Sequence, residues 1–471
     1  MTVSTSLRRR LDYLVLRWQA RLDGAWADRV IPWAAMAGLF VVFAALALAR
    51  VRSFETGDDL ATWVQGAWLI THGLPADSTV TGRHLLEPQF AVGFYAVAQL
   101  TRILPTTVAL VLLQSLALSL GVPAVWRICR QVCTLRVGAA MGAVFAYAVH
   151  PVVHQLNLAD VHPEALAVPA LLWGAYFALR GRWRWAAPLF VVAVAMRSDL
   201  GLTVAAIGLC VALSGRGAGG RRLAAAGFAW TVVAQLVIQP AIGDGAFIHE
   251  GAFRDYGEGI LGVVWGMVTH PWEVIGDVAS RDDLELLVAL LLPVALVPLA
   301  SLRRLLPFAP VVALFLVADV PIGGAEGVEL LIPGLIGVFV SLPFGLEQLG
   351  RRNIERVTVD RRLLTAMGLV GVVFFALLSP ASPYEHPWEW GSRDEEDHAR
   401  RSVASELDDD ARVRADPSVL AELAEREVAR PVSLDRPRKG DRSATPSAQS
   451  TWPSKSQMRR ASRITGRPGR R

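Results

Sequence analysis

Fifteen residues, His150 to Glu164 (HPVVHQLNLADVHPE), hold three histidines, an aspartate and a glutamate between two uncharged apolar runs. Ionisable groups are costly in such surroundings and are usually functional where a chain keeps them. Pro163 suits the first turn of a helix and Glu164 its positive end, so Glu164 reads as a cap and His162 as an interfacial residue. Capping does not require Asp160, His154 and His162 as well, which leaves ligand binding or catalysis as the competing reading. Asp58 and Asp59 are adjacent carboxylates, a type of pair that binds a divalent cation or supplies a general base. Arg197-Ser198-Asp199 interrupts an apolar stretch; Arg197 either pairs with Asp199 at a tight turn or clamps a phosphate. The loop GDGAFIHEGAFRDYGEG mixes His249, Arg254, Asp255 and Tyr256 with glycines, as a solvated loop or a lid would. Cys129 and Cys133 are four apart but lack a second ligand pair, and Cys210 reads as packing.

The elements that must position these groups follow from composition. The 471 residues are 53% hydrophobic and 19% charged, below the roughly 25% charged of soluble domains. Mean hydropathy is +0.39. The pattern is that of an all-α polytopic membrane protein. Lys and Arg number 47 against 42 Asp and Glu, a net charge of +5. The basic residues punctuate apolar runs rather than forming a basic face, which argues against nucleic acid.

Spans are expected at 31–49, 106–126, 137–153, 164–180, 184–198, 199–214, 223–242, 284–302, 305–320, 327–344 and 363–380, about eleven in all. Leu85–Leu104, broken by Glu87, Pro88, Gln99 and Arg102, is expected to lie on the surface as a helix. The first loop contains an amphipathic helix whose Trp63 and Trp68 suit a membrane interface. Counted from a cytoplasmic N-terminus, the inside connections carry Arg127–Arg136, Arg180–Arg184, Arg216–Arg222, Arg303–Arg304 and Arg351–Arg362, as the positive-inside rule requires. The acids and histidines, with Asp244, Glu250, Asp319, Glu326 and Glu329, then come out external. The expected organisation is a cytoplasmic segment 1–30, a membrane domain 31–380 with external loops 51–105 and 243–283, an external charged helical module 381–433, and a disordered basic tail 434–471.

Taken together, GDDLATWVQGAWLITHG, His84, NLADVHPEAL and MRSDLG resemble domain-of-unknown-function family 2079, a bacterial membrane family. The similarity covers roughly residues 50–345. It matches Asp59, Gln65, Trp68, His84, His162, Glu164, Arg197 and Asp199 to family positions. Ala61 stands where the pattern has Gly, Val64 where it has an acid, Val161 where it has an aromatic, and Arg197-Ser198 where it has Lys-Glu. The family is similar in layout to the C-type glycosyltransferases, which take sugars from polyprenyl-phosphate carriers.

That resemblance implies transfer of a polyprenyl-phosphate-linked sugar at the external face of the cell membrane. Catalysis would fall to Asp59, Asp58, His162 and Glu164. Substrate and phosphate binding would fall to His84, Arg197, Asp199, Gln65, Trp68 and Arg254. If a divalent cation takes part, Asp58, Asp59 and Asp160 are its expected ligands. Asp59, His84, His162, Glu164 and Arg197 are expected to converge. A lipid-linked substrate transporter or flippase would instead place charge near the midplane and often show a repeat. A non-catalytic envelope scaffold would use the C-terminal module to bind its partner.

Overall fold

The computed structural model describes residues 23–242, 253, 255–257, 259–278, 281–310, 331–352, 355–383, 391–408 and 410–432. Arg254, Asp244, His249, Glu250, Asp319, Glu326, Glu329, most of the expected span 305–320 and the tail from 433 lie outside the described residues. Helix α1 (Ala25–Arg52) has no charge between Arg29 and Arg50. Its 28 residues make a rod of roughly 42 Å. Helix α2 (Asp58–Thr71) follows and ends at His72 and Gly73, whose φ of 71° stops the helix. Strands β1 (Asp77–Ser78) and β2 (Arg83–His84) pair antiparallel. In the segment expected to lie on the surface, only α3 (Phe94–Leu100) is helical among the described residues. Its seven residues reach about 10 Å and cannot cross a bilayer.

The rods continue with α4 (Thr106–Val132), α5 (Val137–Ala148) and α6 (Pro151–Leu158), the last two bent by 42°. Then come α7 (Pro163–Leu179), α8 (Trp183–Met196), α9 (Leu200–Leu213) and α10 (Gly217–Ile242). After them lie α11 (Gly259–Thr269), α12 (Pro271–Val278), α13 (Arg281–Leu291), α14 (Ile332–Leu349), the hairpin β3 (Arg351–Arg352) and β4 (Val357–Thr358), and α15 (Arg361–Leu378). Among the described residues five helices are long and apolar enough to cross a membrane, or seven if each bent pair is one span. Helices α7, α8 and α9 are apolar but shorter, at 10–17 residues, so they fall below the ~30 Å hydrocarbon core. The expected straight span at 284–302 is broken. Leu286–Val294 and Val297–Arg304 meet at 103°, with Ala295 and Leu296 left-handed (φ 52° and 56°) between Pro293 and Pro298. Proline removes ladder donors on both sides of the break, which apolar composition alone does not reveal.

Contacts order the rod ends. At one end Trp126 and Arg130 of α4 meet Asp28 of α1, and Tyr176 of α7 donates to Gln131. At that same end Arg304 reaches Ser214 beyond α9, and Arg356 donates to Arg130 O. At the other end Arg50 meets Asp160, Gln239 of α10 donates to Ser198, and Gln155 donates to Leu378 O of α15. All five expected arginine clusters therefore gather at the first end. Helices α9 and α10 cross very closely: a Cβ on Gly208 would lie 2.4 Å from the Ala224 amide, and one on Gly220 2.3 Å from Ala212 N. Glycine is what lets these backbones touch, the usual device where lipid gives no hydrophobic drive to association.

The C-terminal part forms α16 (Glu395–Glu406), β5 (Val413–Ala415), α17 (Pro417–Leu420) and β6 (Ala429–Pro431), with β5 and β6 parallel. Asp394 and Asp397 make a capping box at the start of α16. The buried Arg426 ties the module together by donating to Leu423, Asp408 and Ala411 carbonyls. This module packs on the loop that carries α2.

Candidate functional site

Helix α2 begins at Gly57 with no side-chain cap of its own. The cap comes from a distance of about a hundred residues. Asp160 accepts from Gly57 N at 2.9 and 3.1 Å and from Leu60 N at 3.2 Å, while Arg50 Nη2 lies 3.5 Å from Asp160 Oδ1. A carboxylate is favourable there, facing the free amides of a first turn. Asp58 and Asp59 project from that same first turn and are exposed. Burial of part of the Asp58 carboxyl, then the charges of Asp160 and Asp416, push its pKa above the usual carboxylate value.

Asp160 keeps its place because α4 holds the chain reversal between α6 and α7. Gln114 donates to Leu156 O (2.8 Å) and Asp160 O (3.3 Å) and accepts from His162 N (2.9 Å). Ser115 donates to Asn157 Oδ1, and Asn157 donates to Phe43 O of α1. Non-helical backbone buried among helices needs such internal partners. The crevice left between Arg50, Thr56, Gln114, Asn157 and Asp160 is water-sized.

Two residues beyond His162, Glu164 opens α7 fully buried. Glu164 faces other side chains: Gln89 Nε2 donates to Glu164 Oε2 at 3.4 Å, and Arg197 Nη1 lies 3.7 Å from Oε1. Arg197, at the end of α8, also meets Asp199, with Nε 2.7 Å from Oδ1 and Nη2 donating to Oδ2 at 2.8 Å. Ser198 N donates to Gln89 O and Gly93 N to Ala195 O, so the segment before α3 is sewn to the α8–α9 turn. The segment 156–164 thus links two groups: Asp160 with the first turn of α2, and Glu164 with Gln89, Arg197 and Asp199. His162 lies between them, buried.

Other expected residues are spent elsewhere. Gln65 is fully buried. Its Oε1 accepts from Ser78 Oγ, Thr79 N and Val80 N. Its Nε2 donates to Thr79 Oγ1 and to the carbonyls of Arg426 and Glu427 in the C-terminal module. His84 stays in its hairpin, its Nδ1 accepting from Leu86 N. Trp68 stacks on His72 at 4.2 Å. Trp63, expected at an interface, is buried against Phe94 at 4.6 Å, because α3 folds over that face of α2. His154 sits between Phe43 and Phe375, and His150 against Phe339; both pack between helices. Cys129 and Cys133 are buried thiols.

Among the described residues no group of three or more His, Cys, Asp or Glu is arranged to hold a metal ion. The expected cation trio does not fit the donor set, since Asp160 gives its carboxylate to backbone amides. Sequence reasoning missed Arg50, Gln89 and Gln114. The Arg50 position at the end of a span and the two glutamines inside or beside apolar runs were the available signals.

This chain belongs to a family described as a predicted membrane protein, domain of unknown function 2079, whose model matches residues 50–464. That range includes the C-terminal module as well as the helical rods that follow α1. No curated protein matches the chain.

Proposed function

With membership of that membrane family as the premise, we propose that the protein is a multi-pass membrane glycosyltransferase. It uses a polyprenyl-phosphate-linked sugar at the external face of the cell membrane, with the N-terminus cytoplasmic and the C-terminus external. The observation that carries the reading is the exposed acid pair Asp58–Asp59 on a helix start locked by Asp160. It lies at the rod end that also holds Glu164, Arg197 and Asp199. Asp59 deprotonates the acceptor hydroxyl, aided by Asp58, whose raised pKa brings it nearer the range of a working base. Arg197 steadies the departing lipid phosphate, as guanidinium groups do well, and Glu164 with Asp199 orients it. The arginine-rich opposite end supports the orientation through the positive-inside rule. A transporter is less well supported, because the ion pairs described lie at rod ends.

The test is sugar transfer from a polyprenyl-phosphate donor in reconstituted membranes. Asp59→Asn lowers the rate by about 10²- to 10⁴-fold with thermal stability unchanged. Wild-type transfer by Asp59→Asn removes Asp59 as the base. A wild type that moves a lipid carrier across the bilayer but transfers no sugar from any donor replaces the transferase by a transporter.

A further inference from the structure

At the arginine-rich end two loops lie against each other. The first, between α7 and α8, reads RGRWRW from Arg180 to Trp185; the second, around the start of α10, reads SGRGAGGRR from Ser214 to Arg222. Gly181 is left-handed (φ 71°), and a Cβ there would lie 3.2 Å from Arg216 Cζ. The Arg216 guanidinium therefore rests on the bare face of Gly181, between Arg180 and Arg182. Trp183 packs on Gly219 in the same way, 2.2 Å from where a Cβ would sit. Glycine in each loop admits a side chain from the other, which fixes their spacing.

The result concentrates like charge. Arg180, Arg182, Arg184, Arg216, Arg221 and Arg222 are all exposed, and none joins an ion pair among the described residues. From Trp173 to Ile242 the sequence has one acid, Asp199, and it lies at the opposite end of α8 and α9 beside Arg197. With Arg216 resting on Gly181, the residue between Arg180 and Arg182, like charges of two loops gather on one surface, and such charges repel unless an anion lies among them. Trp185 is exposed beside them with Arg184 over its ring at 5.3 Å. An exposed indole at the end of an apolar rod belongs at headgroup depth. The anion that is always present at that depth is the lipid phosphate.

We propose that the loops 180–185 and 214–222 form a binding site for the phosphate of an anionic phospholipid. Arg216 and Arg182 clamp it from opposite loops, and Trp183 and Trp185 flank its glycerol and acyl region. Guanidinium forks suit phosphate oxygens geometrically as well as by charge. The inference is independent of the transferase reading, since it concerns the other end of the rods.

The test is native mass spectrometry of the full-length protein in a nonionic detergent, titrated with phosphatidylglycerol or with phosphatidylcholine, and with inorganic phosphate as competitor. Phosphatidylglycerol is expected to be retained in preference to phosphatidylcholine. The Arg182→Ala/Arg216→Ala double variant should weaken that retention roughly 10- to 30-fold, while Arg83→Ala at the opposite end leaves it unchanged. The Arg182→Lys/Arg216→Lys pair keeps the charge and serves if the alanine pair does not fold; it is expected to weaken retention by a smaller factor. Equal retention of phosphatidylcholine, or unchanged retention in whichever pair folds, overturns the proposal. Displacement of the lipid by millimolar inorganic phosphate makes the site one for free phosphate and overturns it too.

Discussion

Arg130 and Arg197 are both buried guanidinium groups at opposite ends of the same rods, and their surroundings differ. Arg130 spends all five of its N–H donors at close range. Its Nε and Nη2 donate to the Asp28 carboxylate, its Nη1 to Asp23 Oδ1 and Leu135 O, and its Nη2 also to Asp23 O, at 2.7–3.3 Å. Arg356 then fastens the 350s loop to the Arg130 carbonyl. Arg197 is paired closely with Asp199, but Glu164 stands 3.7 Å from Nη1, a contact of charge rather than of hydrogen bonding. One arrangement is a closed clasp that fixes where helices end. The other pairs a guanidinium with one carboxylate, Asp199, through two close contacts and sets a second, Glu164, at the distance of a charge contact.

The largest effect is expected of Arg130→Ala. Removing it strands two carboxylates, and breaking a buried pair costs about 3–5 kcal/mol. Thermal unfolding in detergent should show a large fall in Tm; a small fall makes the clasp ornamental. Arg197→Ala takes the cation away from the fully buried Glu164 as well as from Asp199, so it too should cost up to about 3–5 kcal/mol. What sets it apart is its expected effect on the Michaelis constant for the donor of the proposed transfer. If Arg197→Ala destabilises as much as Arg130→Ala and leaves donor affinity alone, the two ends are equivalent.

Asp160→Ala tests the link between the two groups at the second end. Losing an N-cap costs about 0.5–2 kcal/mol, and here it also frees the first turn of α2. Transfer should fall by more than stability does, and Asp160→Asn should recover part of both, since an amide oxygen still accepts one bond. The smallest effect belongs to Asp58→Asn. The Asp58 carboxyl binds its proton at higher pH in the folded chain than in the unfolded one. The unfolded state therefore holds fewer protons in the window above the ordinary carboxylate value, and stability falls as pH rises through it. The variant should match or slightly exceed the wild type in Tm at neutral pH, and the gap should close on acidification below that window.

What the sequence reveals and hides follows from the range of each interaction. Uncharged runs such as Val30–Ala49 are legible because a bilayer-length rod is a local property of composition. The fate of Leu85–Leu104 was also local: Pro88 and Gly93 interrupt it. The Ala295–Leu296 break sits in wholly apolar residues, so hydropathy passes over it, although Pro293 and Pro298 bracket it. The density of ionisable groups at 150–164 marks the right place, but not which members face one another. His150 and His154 share a helical face and turn it toward Phe339, Phe43 and Phe375, whereas Asp160 reaches Gly57 from 103 residues away. Pairing at that separation leaves no local pattern. Gln65 is the clearest case, matched to a family position by resemblance and held by a module more than 360 residues downstream.

That separation sets a timetable for the making of the chain. Gln65 and Thr79 emerge early from the ribosome, while the carbonyls and the amide they bind at Arg426, Glu427 and Ala429 emerge 348–362 residues later. At about 5–20 residues per second, the interval is roughly 20–70 s. Throughout it the first loop waits with its amide hydrated and one flank of α2 bare. A segment made after every described rod is thus the one that finishes the first loop, and a nascent chain stalled before Arg426 carries those rods yet lacks the partner that closes its earliest fold.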